Sequence, residues 1–141
     1  MALKIHPTAK VHPTAVLEGD IEIGPETTIG PLTYILGPVV IGARNKIYPH
    51  CVIGCEGEHK TQPPTGPILI GDDNIIREFT GIQKALDTEL TLLGSRIHLM
   101  QSVHIPHDAR IGDDVEITPM SVLAGNVKLM RAANLGLGTK V

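Results

Sequence analysis

Stepping along the chain six residues at a time from Ile5 lands on an aliphatic side chain at every stop: Ile5, Val11, Leu17, Ile23, Ile29, Ile35, Ile41, Ile47 and Ile53. The spacing resumes at Ile70, Ile76 and Ile82. It returns from Leu93 through Leu99, Ile105, Ile111, Ile117, Leu123, Leu129 and Leu135 to Val141. An α-helix repeats near 3.6 residues and a pleated strand near 2, so neither alone produces a period of six. A short strand followed by a bend does, and repeats of that kind build solenoids.

With the aliphatic as the first position of each hexad, the fifth also tends to be small or aliphatic, as at Ala9, Ala15, Ile21, Thr27, Val39, Cys51, Val103, Ala109, Val115, Val127 and Ala133. Both positions are expected to point inward. Positions two to four are expected to hold the bend, where Gly42-Ala43-Arg44, Gly71-Asp72-Asp73 and Gly112-Asp113-Asp114 supply residues that tolerate tight turns and positive φ. Three hexads close one triangular coil, and coils stack about 4.8 Å apart through parallel hydrogen bonds. About seven coils are expected over a single domain, residues 1–141. Aromatic residues are only 2% of the chain, which suits a narrow aliphatic core.

The period breaks twice, and both breaks are read as loops extruded from the coil, near 55–69 and 84–92. A rigid solenoid commonly carries its function on such loops. The register runs unbroken to Val141, leaving an open apolar end that solenoids normally cap. The expectation is a fragment, or an end covered by something else.

The net charge of −3 gives no basic surplus to hold a phosphate backbone, so nucleic acid is not an expected partner. No apolar run approaches the roughly 18 residues of a membrane span, and the start lacks the apolar stretch of a signal peptide. Two cysteines, Cys51 and Cys55, make no disulfide framework, and a reducing cytoplasm is expected. Cys51 falls at an inward position. Cys55 opens the first loop with nothing nearby to mark it as a nucleophile.

Several segments together resemble the acyl-carrier-protein–UDP-N-acetylglucosamine O-acyltransferase family of lipid A synthesis. Val11-His12-Pro13-Thr14-Ala15 is similar to that family's opening, and Ile70-Gly71-Asp72-Asp73-Asn74-Ile75-Ile76-Arg77-Glu78 resembles its IGDxNxIRE stretch. Val103-His104-Ile105-Pro106-His107-Asp108, followed by Leu123-Ala124-Gly125, resembles its HIAHD and LAG segments at the family's spacing. The resemblance implies an all-β, left-handed parallel β-helix working as a homotrimer, with the family's C-terminal helical domain absent. It implies no cofactor, an acyl carrier protein as donor partner and a UDP-sugar as acceptor. His107 becomes the general base, Asp108 its neighbour and Gly125 the oxyanion donor, while His104, Lys60, His59, Gln83 and Asn126 line the substrate site.

The repeat is consistent with those roles. His107 and Gly125 stand one full coil apart and are expected to stack on one edge. A base on one rung and a backbone amide on the next can hold a tetrahedral intermediate between them, and imidazole is the side chain that exchanges protons near neutral pH.

The chain departs from the family pattern at Gln83-Lys84, where the family has His-Arg, at Asn126, where it has His, and at His59 in the first loop, where it has a carboxylate. These departures keep open a transfer to a different, amino-bearing sugar nucleotide, and the open C-terminal end keeps open a non-catalytic scaffold. Each site residue also has a plainer reading: His107 and Asp108 as solvated turn residues, His104 as a packing residue, Gly125 as a turn glycine with positive φ. His6 and His12, in repeated His-Pro-Thr-Ala units, read as structural. No metal site is expected, because His98 and His104, one hexad apart, fall on different faces.

Overall fold

The computed structural model describes residues 2–141; Met1, which opens the expected domain span and the N-terminal stretch, lies outside them. Nineteen short strands and no helix make up the described chain. They form three parallel sheets, of seven, seven and five strands, each made by every third strand in sequence except at the C-terminal end of the two larger ones, where the step is two. The result is a left-handed parallel β-helix with a triangular section.

The first face shows the stacking. Strand Leu3–Ile5 pairs with Ile21–Ile23, that with Val39–Ile41, and the series continues through Ile68–Ile70, Thr91–Leu93, Arg110–Ile111 and Lys128–Leu129. Within the body of the coil the hexad's first and fifth residues face inward. Ile23, Ile41, Ile76, Leu99, Ile105 and Ile117 are at most 1% exposed and join one continuous cluster. Burying such aliphatics contributes on the order of 1.5–3 kcal/mol each. Towards the N-terminal end the column opens to solvent: Ile5 is exposed and Val11 half-buried. At the other end Val141 is 48% exposed.

The bend falls within positions two to four of the hexad, as the sequence implies. The left-handed backbone falls on the fourth residue of the hexad, at Glu26, Leu32, Arg44, His50, Asp73, Phe79, Arg96, Ser102, Asp108, Asp114, Met120, Asn126 and Ala132, with φ between 54° and 68°. Apart from Gly54 (φ 104°), the glycines at position two do not have positive φ. They are small because the coils touch there: a Cβ on Gly24 would lie 2.6 Å from the Gly42 carbonyl carbon, and one on Gly30 would lie 2.8 Å from the Pro49 nitrogen.

Position five is more polar than its aliphatic members suggest. Thr27, Thr33, Asn45, Asn74, Thr80 and Thr91 are all buried there. Thr27 donates to the Gly42 carbonyl (2.7 Å) and accepts from the Asn45 amide (3.2 Å), while Asn45 Nδ2 reaches the Gly71 carbonyl (2.8 Å) and Asn45 Oδ1 takes the Asn74 amide (2.9 Å). A ladder of side-chain hydrogen bonds thus runs up one inner corner and satisfies bend amides and carbonyls that the sheets leave unpaired.

Two excursions interrupt the stack, one between Val52–Cys55 and Ile68–Ile70, the other between Gly81–Gln83 and Thr91–Leu93. They lengthen the coil-to-coil offset from 18 residues to 29 and 23, yet the register is regained, with Ile70 beside both Ile41 and Leu93. Cys55 belongs to a strand and not to the loop it precedes. The two loops also bind each other, through an antiparallel bridge between Gly66 and Ala85 and a Thr65 amide bond to the Ala85 carbonyl (2.8 Å).

Candidate active site

Where the second loop folds back on the coil, it closes around one carboxylate. Asp108 is the left-handed residue of its bend (φ 63°), a conformation aspartate adopts more readily than branched residues. Its side chain is fully buried. The Leu86 amide (3.0 Å), the Asp87 amide (3.0 Å), the Thr88 amide (2.8 Å) and the Thr88 hydroxyl (2.7 Å) all donate to it. Burial alone would raise the Asp108 pKa. The hydrogen bonds from Thr88, His107 and the loop amides outweigh it and hold the group well below the usual carboxylate range.

The remaining donor is His107, whose Nδ1 lies 2.7 Å from Asp108 Oδ2. An ionised carboxylate can only accept, so Nδ1 carries the hydrogen and neutral His107 keeps an unprotonated Nε2. The His107 side chain is 23% exposed. On one side it meets Gly57 of the first loop, where a Cβ would lie 2.9 Å from His107 Cβ and 2.6 Å from Leu86 Cδ1. On the other its imidazole lies over Gly125, whose added Cβ would be 2.5 Å from Cε1 and in collision with Nε2.

Gly125 is therefore glycine for room. The positive φ of this bend belongs to Asn126 (64°). The Asn126 amide bonds the His107 carbonyl (3.0 Å), which ties the two coils together, and the Gly125 N–H makes no hydrogen bond among the described residues. A donor without a partner thus sits under a proton acceptor.

Three further residues complete the rim, and sequence reasoning missed them: Gln62, Asp87 and Thr88. Asn126 Nδ2 donates to Asp87 Oδ2 (2.9 Å) and Gln62 Nε2 to Asp87 Oδ1 (3.2 Å), so both loops and the next coil meet at one carboxylate. The bonds from Asn126 and then Gln62 lower the Asp87 pKa. The available signal was the two breaks in the period, the first holding Gln62 and the second Asp87 and Thr88.

The other predicted residues stand apart from this cluster. His104 is exposed beside Gly81, with its Nδ1 3.8 Å from where a Cβ would be. Gln83 is half-buried at a strand irregularity. Its neighbour Lys84 turns inward and donates to the Gly37 carbonyl (2.7 Å), and burial lowers its pKa. His59 Nδ1 accepts the Thr61 and Gln62 amides (3.3 and 2.9 Å), and Lys60 is exposed. Asp87, His107 and Asp108 bring ligand-type atoms within 4.8 Å of one another. The Asp108 oxygens are already taken by five donors, so the arrangement suits proton handling better than metal binding. Cys51, fully buried, has its thiol pKa pushed up to about 11 by burial.

Comparison with known proteins agrees with the fold. Residues 20–55 match the family described as bacterial transferase hexapeptide (six repeats). The acyl-[acyl-carrier-protein]–UDP-N-acetylglucosamine O-acyltransferase of Syntrophobacter fumaroxidans is 36% identical over 138 residues, covering 87% of this chain and 54% of that protein. The Synechocystis enzyme of the same name is 36% identical over 101 residues, 70% of this chain and 37% of its own length. Among solved structures, LpxA from Acinetobacter baumannii superposes with a TM-score of 0.68 at 30% identity, covering 96% of this chain and 58% of that one. The chain spans about half the length of these relatives or less.

Proposed function

The chain belongs to the hexapeptide-repeat family of the acyl-[acyl-carrier-protein]–UDP-N-acetylglucosamine O-acyltransferases, and from that premise we propose that it moves a 3-hydroxyacyl group from acyl carrier protein to the 3-hydroxyl of UDP-N-acetylglucosamine. One observation supports the reading above the rest: His107, oriented through Nδ1 by buried Asp108, presents Nε2 over Gly125, whose N–H has no partner among the described residues.

In this reading His107 Nε2 takes the proton from the sugar hydroxyl as its oxygen attacks the thioester carbonyl. The Gly125 N–H stabilises the oxyanion of the tetrahedral adduct, a contribution of about 2.7–4 kcal/mol per donor in acyl transfer. The adduct collapses by breaking the carbon–sulfur bond, and the imidazolium returns its proton to the departing thiolate. Asp108 stabilises the imidazolium and holds the tautomer without taking the proton itself. The chemistry needs no cofactor. The proposal extends to a homotrimer, with His104, Gln83, His59 and Lys60 facing substrate between neighbouring subunits, and to the cytoplasm, where two free cysteines are at home.

A second acceptor is favoured by one observation. Asn126, where the family has histidine, spends its amide on Asp87, which places a carboxylate at the rim and suits an acceptor bearing an amine.

Mass spectrometry with 3-hydroxyacyl carrier protein and UDP-N-acetylglucosamine, on the wild type and His107→Ala, tests the proposal. Product from the wild type alone supports the reaction and the base. Equal product from both removes His107 from the mechanism. Product only with an amino-sugar nucleotide selects the second acceptor, and none with either rejects acyl transfer by this chain.

A further inference from the structure

Immediately beside the Asp108 bend, an open cleft of about 440 Å³ is lined by Thr88, Asp108, Arg110, Asn126 and Lys128. Arg110 and Lys128 are direct partners on adjacent parallel strands of the first face. Neighbouring rungs lie about 4.8 Å apart, and like charges so placed repel. Elsewhere the protein avoids this. Along one corner Arg44 pairs with Asp73 (2.8 Å) and Arg96 with Asp114 (2.8 Å), with the signs alternating from rung to rung.

Among the described residues Arg110 has a single acidic contact, Glu89 at 3.1 Å. Glu89 belongs to the second loop, and its side chain is 78% exposed. Lys128 is exposed and has no carboxylate partner among the described residues. Two cations one rung apart, one unpaired and one loosely held, thus face a cleft lined also by Asp108, the residue that holds His107.

We propose that Arg110 and Lys128 form an anion subsite that holds a phosphate group of a substrate while its reacting end lies at His107. The inference rests on the acyl-transfer reading for what the phosphate belongs to, and not for the subsite itself. A guanidinium can grip phosphate through two parallel N–H bonds and an ammonium adds a point charge. Glu89 occupies Arg110 until the phosphate displaces it. The phosphate comes either from the diphosphate of a sugar nucleotide or from the phosphopantetheine arm of the acyl carrier.

The test is titration calorimetry at low salt with inorganic pyrophosphate, which needs no turnover. Saturable binding is expected for the wild type. Arg110→Gln with Lys128→Gln should weaken it about tenfold to a hundredfold. Glu89→Gln should tighten it, and Lys46→Gln, on a different face, should leave it unchanged. Titrations with UDP and with 4′-phosphopantetheine then identify the source, since the double variant should weaken one of them by the same factor. No binding of pyrophosphate by the wild type, or equal binding by the double variant, overturns the subsite. Pyrophosphate binding that depends on both residues in a chain without acyl transfer keeps the subsite and rejects only the reaction.

Discussion

His107 Nδ1 and Asp108 Oδ2 lie 2.7 Å apart on consecutive residues of one bend. Consecutive side chains seldom meet so directly. Here the left-handed backbone of Asp108 brings its carboxylate back toward the preceding ring, and the Leu86–Thr88 amides fix it there. Asp108→Asn keeps the size but replaces one acceptor oxygen with a donor amide facing donors. We expect kcat to fall at least a hundredfold with KM little changed, and the acidic limb of the pH–rate profile, which reports the general base, to change shape. A purely structural role would lower the melting temperature without changing that profile.

Acid should destabilise the protein through the same group. The folded pKa of Asp108 is held below its unfolded value. Its contribution is therefore complete above the ordinary carboxylate range, about pH 4, and is lost as pH falls toward the folded pKa. The exposed Arg44–Asp73 and Arg96–Asp114 pairs add little. Melting temperature should be flat from neutrality to about pH 5, fall below about pH 4, and do so much less steeply in Asp108→Asn. An equally steep fall in the variant would assign acid lability elsewhere.

Gly125→Ala tests whether this glycine serves space or backbone. Its φ is not in the left-handed region, so alanine meets no backbone strain. The new methyl instead meets the His107 ring, 2.5 Å from Cε1. The variant should fold with a melting temperature within a few degrees of the wild type while losing at least tenfold in kcat/KM, because the imidazole must tilt away from the reacting proton. Full activity would show that the ring and the amide do not act on the same atom.

How much of this was legible follows from which residues repeat. The hexad period reports every inward first position, so the coil and the one-coil spacing of His107 and Gly125 could be read from it. The loop contacts could not. Gln62, Asp87 and Thr88 lie in segments without a period, and nothing in their order says that three amides and a hydroxyl converge on Asp108. The role of each glycine was not legible either: composition cannot separate a glycine needed for φ from one needed for close stacking, and Gly24, Gly30 and Gly125 are the second kind.

Ile111→Asp probes the register itself. Ile111 is 2% exposed, between Leu93 and Leu129 on neighbouring rungs. A carboxylate there has neither water nor a donor, and the cost should exceed about 4 kcal/mol. Loss of the cooperative thermal transition is expected, and an unchanged melting temperature would mean that the first position of the hexad does not face inward.

Asn74→Leu probes the polar ladder with a side chain of similar size. Asn74 Oδ1 accepts the buried Ile97 amide (2.8 Å) and its Nδ2 donates to the Gly94 carbonyl (3.0 Å). Leucine fills the volume but makes neither bond. The Gly94 carbonyl keeps the Gly71 amide, whereas the Ile97 amide is left without a partner inside the coil. An unsatisfied buried donor costs about 1–3 kcal/mol, which for a chain of this length is several degrees in melting temperature. Asn74→Thr should recover part of the loss, because Thr27 uses its hydroxyl at the same hexad position to accept one amide and bond one carbonyl. If threonine is no better than leucine in calorimetry, the ladder contributes packing and not hydrogen bonds.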